Sequence, residues 1–165
     1  MAYQNRTNSN KRIMHSILLA GLLGGTAEVA WVAVYGIWTD SNSIEVLRQI
    51  TGSIFPSMTQ SNFSPYLGLC IHFLLAIALA SAFGFLVWKP YQKKLSASAT
   101  CILALFTLVL VWEVNFLWLL PVLNPQFPKL LPMSVTLISK LGFGLAMAWI
   151  FVKEQTQLQA EPIRE

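Results

Sequence analysis

Apolar residues run along this chain in four long blocks, separated by short polar or proline-rich intervals. The blocks cover about 13–38, 66–88, 97–120 and 134–152. A helix that crosses a hydrocarbon core needs about 20 mostly apolar residues, because each residue rises about 1.5 Å. No block shows the alternation of a barrel strand, and backbone groups in lipid must pair internally, so the pattern predicts helices. The expected fold is an all-α membrane protein: a four-transmembrane-helix bundle, with residues 1–165 as one integral membrane domain. Lys11 and Arg12 ahead of the first block also suit a signal peptide. Signal cores run only about 7–15 residues, however, and this block is longer and contains Glu28.

The intervals carry their own signals. Asn42 followed three residues later by Glu45 reads as a capping box. Ile44, Leu47 and Ile54 then recur at helical spacing, and Gly52 offers a stop, so a short interfacial helix is expected on the outer surface between spans one and two. Between spans three and four stand Pro121, Pro125, Pro128 and Pro132, which predict a stiff extended crossing. Pro65 and Pro132 sit at the starts of spans, where a missing N–H costs nothing.

Composition agrees with this reading. The chain is 55% apolar and 11% charged, with mean hydropathy +0.58, whereas soluble domains carry about a quarter charged residues. Such a chain is too apolar to be disordered, and two cysteines cannot staple it as a disulfide scaffold. The net charge of +4 is unevenly placed. Arg6, Lys11, Arg12, Lys89, Lys93, Lys94, Lys153 and Arg164 fall on one side, while Arg48 and Lys129 fall on the other. The positive-inside rule puts both termini and the middle loop in the cytoplasm, most naturally of a bacterial inner membrane. The charge is thus topological, and no nucleic-acid partner is implied. Trp38 and Trp118 near the outer ends, with Trp88, Tyr91 and Trp149 near the inner ones, fit interfacial belts.

Small residues one turn apart mark where helices touch. They are Gly21 and Gly25 in span one, Ala76, Ala80 and Gly84 in span two, and Gly142/Ala146 with Gly144/Ala148 in span four. The same faces offer contacts for a homo-oligomer or a larger membrane complex.

Four ionisable residues lie inside the spans, one per helix: Glu28, His72, Glu113 and Lys140. A fully charged side chain at mid-bilayer costs about 2.5–3.5 kcal/mol on the insertion scale, so such residues are functional candidates. Counted from the outer ends, all four fall about 11–15 Å deep, and a bundle can bring them together. Two carboxylates and an imidazole suit a divalent metal at Glu28, His72 and Glu113, although Lys140 opposes one. No other cofactor is expected. The same groups suit a proton or small-cation pathway, or a structural network that sets helix register. Lys140 and Glu113, at matched depth, read as an ion pair, and Asn115 points to a different face. Glu28-Val29-Ala30-Trp31 and Glu113-Val114-Asn115-Phe116 share a pattern, suggesting two hairpins repeated about an axis along the membrane normal.

Other chemistry is not signalled. His15 lies near the opposite face from His72, against a bis-histidine haem. Cys70 and Cys101 lie at different depths, and the sequence has no phosphate loop, nucleophile elbow or zinc signature. An intramembrane enzyme therefore has no motif behind it.

Gly68-Leu69-Cys70-Ile71-His72, with the later Gly84 and Lys89-Pro90, resembles the YagU-like family of small multi-pass bacterial inner-membrane proteins. Ser139-Lys140-Leu141-Gly142-Phe143-Gly144 is similar to that family's last helix, but the family would have an acid where Lys140 stands and a histidine near Gly144. The resemblance implies a multi-pass membrane protein and assigns no role. The residues themselves point to a small membrane protein that binds or conducts protons or a small cation through Glu28, His72 and Glu113. The alternative is an accessory or assembly subunit in which the cluster is structural.

Overall fold

The computed structural model describes residues 2–39 and 41–160, with side chains for 11–39, 41–157 and 159. The side chain of Arg6 and all of Arg164, both counted in the charge asymmetry, lie outside the described residues. The fold is helical: α1 (Ala2–Thr39), α2 (Ser43–Ile54), α3 (Ser64–Tyr91), α4 (Ala97–Leu123) and α5 (Met133–Ala160). All but α2 are long and apolar enough to cross a membrane.

The helices form a curved row in which α3 packs on α1, α1 on α5, and α5 on α4. The first part of α1 and the last part of α5 lie at one end of the bundle (the terminal end), where Ser16 Oγ donates to Glu154 Oε2 at 2.9 Å and Gln155 donates to the Leu95 carbonyl. The small residues set the spacing. A Cβ on Gly21 would stand 2.6 Å from Ile77 Cα, and one on Gly24 would stand 1.7 Å from the Phe143 ring. Gly25 faces Ala76, Gly84 faces Ile17 and Gly144 faces Leu105, so these faces are occupied within the chain. Gly142 alone has nothing within 4 Å.

Two helices change pitch before a proline. In α3 a π turn over Phe83–Trp88 ends with Lys89 N–H bonded to the Gly84 carbonyl, one residue before Pro90. In α4 the π turn Val114–Leu119 ends with Leu120 N–H on the Asn115 carbonyl, one residue before Pro121. A proline ring collides with the carbonyl four residues back, and the wider turn relieves that collision while keeping neighbouring backbone groups paired. Helix α4 therefore runs through Pro121 to Leu123. The crossing to α5 is not simply extended either, since it contains a 3₁₀ turn at Phe127–Lys129.

Wide turns also place Trp88. It is fully buried, with its ring 5.0 Å from that of Phe151, and so it is a core residue rather than a belt residue. Trp38, Trp118, Trp149 and Tyr91 are exposed as a belt requires.

The main buried cluster lies toward the terminal end: Ile17 and Ala20 of α1, Ala80 and Phe83 of α3, Leu108 of α4 and Phe151 of α5. Smaller numbers are buried at the other end, among them Ile71, Phe116 and Val135, and many apolar side chains face outward. Ile102, Phe106 and Leu86 are exposed, and only 17% of the most apolar stretch of α4 is covered by the rest of the chain. Apolar surface on this scale needs a cover that the protein does not supply.

At the opposite, far end, α2 is capped as its sequence predicts: the Asn42 side chain accepts from the N–H groups of Ile44 and Glu45. The reciprocal half of the box is not made, because the Glu45 carboxylate accepts from Gln49 Nε2. Gly52 does not end the helix, which continues to Ile54; it is buried where a Cβ would meet Thr59 Oγ1 at 2.6 Å. Helix α2 packs on α3 so closely that a Cβ on Gly68 would stand 1.9 Å from the Leu47 carbonyl oxygen. Asn124 Nδ2 donates to the Gln49 carbonyl at 3.1 Å and to Gln49 Oε1 at 3.0 Å, tying the proline-rich crossing to α2 as a roof.

Candidate functional site: a polar centre lining a cleft

The buried stripe of α1 runs Ile13, Ser16, Ile17, Ala20, Gly21, Gly24, Gly25 and then Glu28. These positions recur at steps of three and four, so the turn that buries the glycines also turns Glu28 inward. Glu28 is 5% exposed. Its Oε1 lies 2.7 Å from Lys140 Nζ of α5, and its Oε2 lies 3.8 Å from His72 Nε2 of α3. His72 Nε2 is also 3.1 Å from the Gly25 carbonyl oxygen. A carbonyl only accepts, so this nitrogen carries the hydrogen and Nδ1 is the ring's free acceptor. Lys140 Nζ sits 5.9 Å from the centre of the Phe143 ring, and both Lys140 and His72 keep about a sixth of their side-chain surface open.

Three of the four charged residues expected to converge do so. Glu113 does not: it is exposed and makes no hydrogen bond or ion pair among the described residues. The buried stripe of α4 is Thr100, Ala104 and Leu108. Glu113 lies five residues beyond Leu108, about 140° around at roughly 100° per residue, so it leaves the stripe despite its matching depth. The expected Lys140–Glu113 pair is therefore replaced by Lys140–Glu28. The metal triad of Glu28, His72 and Glu113 is not assembled, and among the described residues no three His, Cys, Asp or Glu side chains come together as metal ligands. The inferred repeat breaks at the same place. Twofold symmetry would pair α3 with α4 as α1 pairs with α5, yet α3 meets α4 chiefly at the π turn Phe83–Trp88.

Where α3 and α4 part, the bundle encloses a cleft of about 870 Å³. Glu28, His72 and Lys140 are among the residues that line it. The walls are almost wholly apolar, from Val32 of α1, Leu75 of α3, Val114 of α4 and Phe143 of α5, and α2 contributes Val46 and Ile50 from above. Asn115 also lines the cleft, although its spacing from Glu113 suggested another face. It is Glu113 that faces away. Asn115 makes no side-chain hydrogen bond among the described residues, whereas Thr136 and Ser139, also on the wall, are satisfied by Trp112 and by backbone carbonyls.

A second polar layer closes the terminal end, and the sequence pattern missed it because the fourth apolar block stops at Val152. Glu154 is 8% exposed and Gln155 5% exposed, and Thr100 Oγ1 donates to Gln155 Oε1 at 3.2 Å. Their signal was register alone: both continue the buried face of Met147, Ile150 and Phe151. Between this layer and Glu28 the inward face of α1 carries only Ile17, Ala20 and glycines. Comparison with protein-family models, curated proteins and solved structures finds no match to this chain.

Proposed function

We propose that this chain is an integral membrane protein that binds rather than conducts, with a proton-exchanging centre at Glu28, Lys140 and His72. One observation carries the reading: a buried carboxylate 2.7 Å from an ammonium, on the wall of an open cleft. A carboxylate and an ammonium 2.7 Å apart can redistribute a proton without changing their total charge, which low-dielectric surroundings favour. Any other cation must compete with the Lys140 ammonium for the same carboxylate. Conduction lacks a path, because the stretch between Glu28 and the Ser16–Glu154 layer is filled by Phe143, Met147, Phe83 and small residues. Lys11, Arg12, Lys93, Lys94 and Lys153 favour the terminal end on the cytoplasmic side of a bacterial inner membrane, with the cleft in the outer half. An accessory subunit docking through its small-residue faces has less support, since nearly all those faces are spent on the chain's own helices.

Infrared difference spectra of the protein in lipid nanodiscs, recorded as pH is varied, test this. A carboxyl band that responds to pH and vanishes in Glu28→Gln is the expected result. A carboxyl spectrum unchanged by that substitution overturns proton exchange. Proton flux in proteoliposomes above the protein-free level, abolished by Glu28→Gln, overturns binding without conduction.

A further inference from the structure

The cleft has a side door and a polar patch on an otherwise apolar wall, and together these select a class of ligand. Its volume of about 870 Å³ lies within the ~300–1,000 Å³ typical of small-molecule sites. Leu75 and Ala78 of α3 and Leu110 and Val114 of α4 line the cleft and are also exposed, so the gap between these helices opens sideways. Above, α2 and the crossing held by Asn124 form a roof. An occupant therefore enters through the apolar gap, along the plane in which lipid would lie.

On that patch, Glu28 and Lys140 cancel in charge, and His72 Nε2–H is engaged by the Gly25 carbonyl. A charged guest would leave that balance uncompensated in low dielectric. Lys140 has three N–H groups and one carboxylate partner, while the Asn115 amide has no partner among the described residues. The donors left over on Lys140 and Asn115 suit an uncharged carbonyl, which accepts from them.

From this we propose that the cleft binds a single-chain amphiphile with an uncharged carbonyl headgroup, its chain in the α3–α4 gap and its carbonyl oxygen on Lys140 and Asn115. The inference rests on the membrane reading above but not on proton exchange at Glu28.

The test uses the full-length protein in phosphatidylcholine nanodiscs and palmitamide carrying a diazirine in its chain. Photolabelling mapped by mass spectrometry is expected on cleft residues of α3 and α4, and unlabelled palmitamide should compete it away. Lys140→Met should lower cleft labelling about tenfold, the loss of a charge-assisted hydrogen bond. Because that variant strands Glu28, two others leave the ion pair intact: Asn115→Leu should lower labelling severalfold, and Val114→Trp should block the door. A diazirine alkane with no headgroup that labels the cleft as well as the amide overturns the proposal, leaving a crevice filled by any acyl chain. Palmitate competing better than palmitamide also overturns it, in favour of an anionic guest. Failure here alongside an intact Glu28 infrared band leaves proton exchange standing.

Discussion

Toward the terminal end, Phe83, Trp88 and Phe151 interlock with ring centres 5.0–5.4 Å apart and close the bundle around a filled core. Toward the far end, the same four helices splay around a cleft of about 870 Å³ walled by the same kinds of residue. Apolarity alone does not separate the two halves. At the terminal end the π turn of α3 carries Phe83 and Trp88 onto Phe151 of α5, whereas at the far end α3 and α4 part around the cleft. In water such a hollow would tend to collapse, since closing it removes apolar surface from solvent. In lipid that drive is absent because acyl chains are as apolar as leucine, and an open cleft costs only lost packing contacts. The ion pair of Glu28 and Lys140 sits where the two halves meet.

The strongest way to break this comparison is to strip the boundary of one charge. Lys140→Met leaves Glu28 buried and unpaired, an expected loss of about 3–5 kcal/mol in stability by denaturant unfolding in mild detergent. Adding Glu28→Gln should return most of it, since both charges are then gone. Glu113→Gln is the control: exposed and outside the centre, it should shift stability by less than about 0.5 kcal/mol. A Glu113 effect as large as that of Lys140 would place the charged centre elsewhere.

A pair of truncations sharpens the contrast between halves. Phe151→Ala in the filled half should cost about 3 kcal/mol, near the low end for such cavities because lipid rather than water is the reference. Leu110→Ala on the cleft wall should cost below about 0.5 kcal/mol. Equal losses from the two would mean that the cleft closes in solution. The smallest expected loss among the structural contacts is at the roof, above only the near-neutral Leu110 and Glu113 changes. Asn124→Ala removes the clamp on Gln49, at about 1 kcal/mol, and should speed amide hydrogen exchange in α2 while leaving α5 unchanged.

The four apolar blocks, the cap at Asn42 and the inward turn of Glu28 could be read from local pattern. Each depends on periodicity or on a hydrogen bond between near neighbours, and those are properties of short segments. Depth along a helix is equally legible, which is why all four ionisable residues were expected at one level. Direction around the axis is harder to read, because an apolar helix in lipid needs no polar face and its outward side looks like its inward one. Glu113 was misassigned for that reason, although the stripe Thr100–Ala104–Leu108 held the clue. Pro121 was misread as a helix end because a π turn that absorbs a proline leaves no mark in composition.

What the linear chain determined by itself is the number, length and hydrophobicity of its helices and the presence of a costly acid in the first. Which charge neutralises that acid, which face of α4 looks inward, and whether the far half is filled or hollow were decided only when four helices packed. Those outcomes depend on side-chain volumes meeting across space, at Gly24 against Phe143 and Trp88 against Phe151. No local pattern encodes a distance between residues so far apart along the chain.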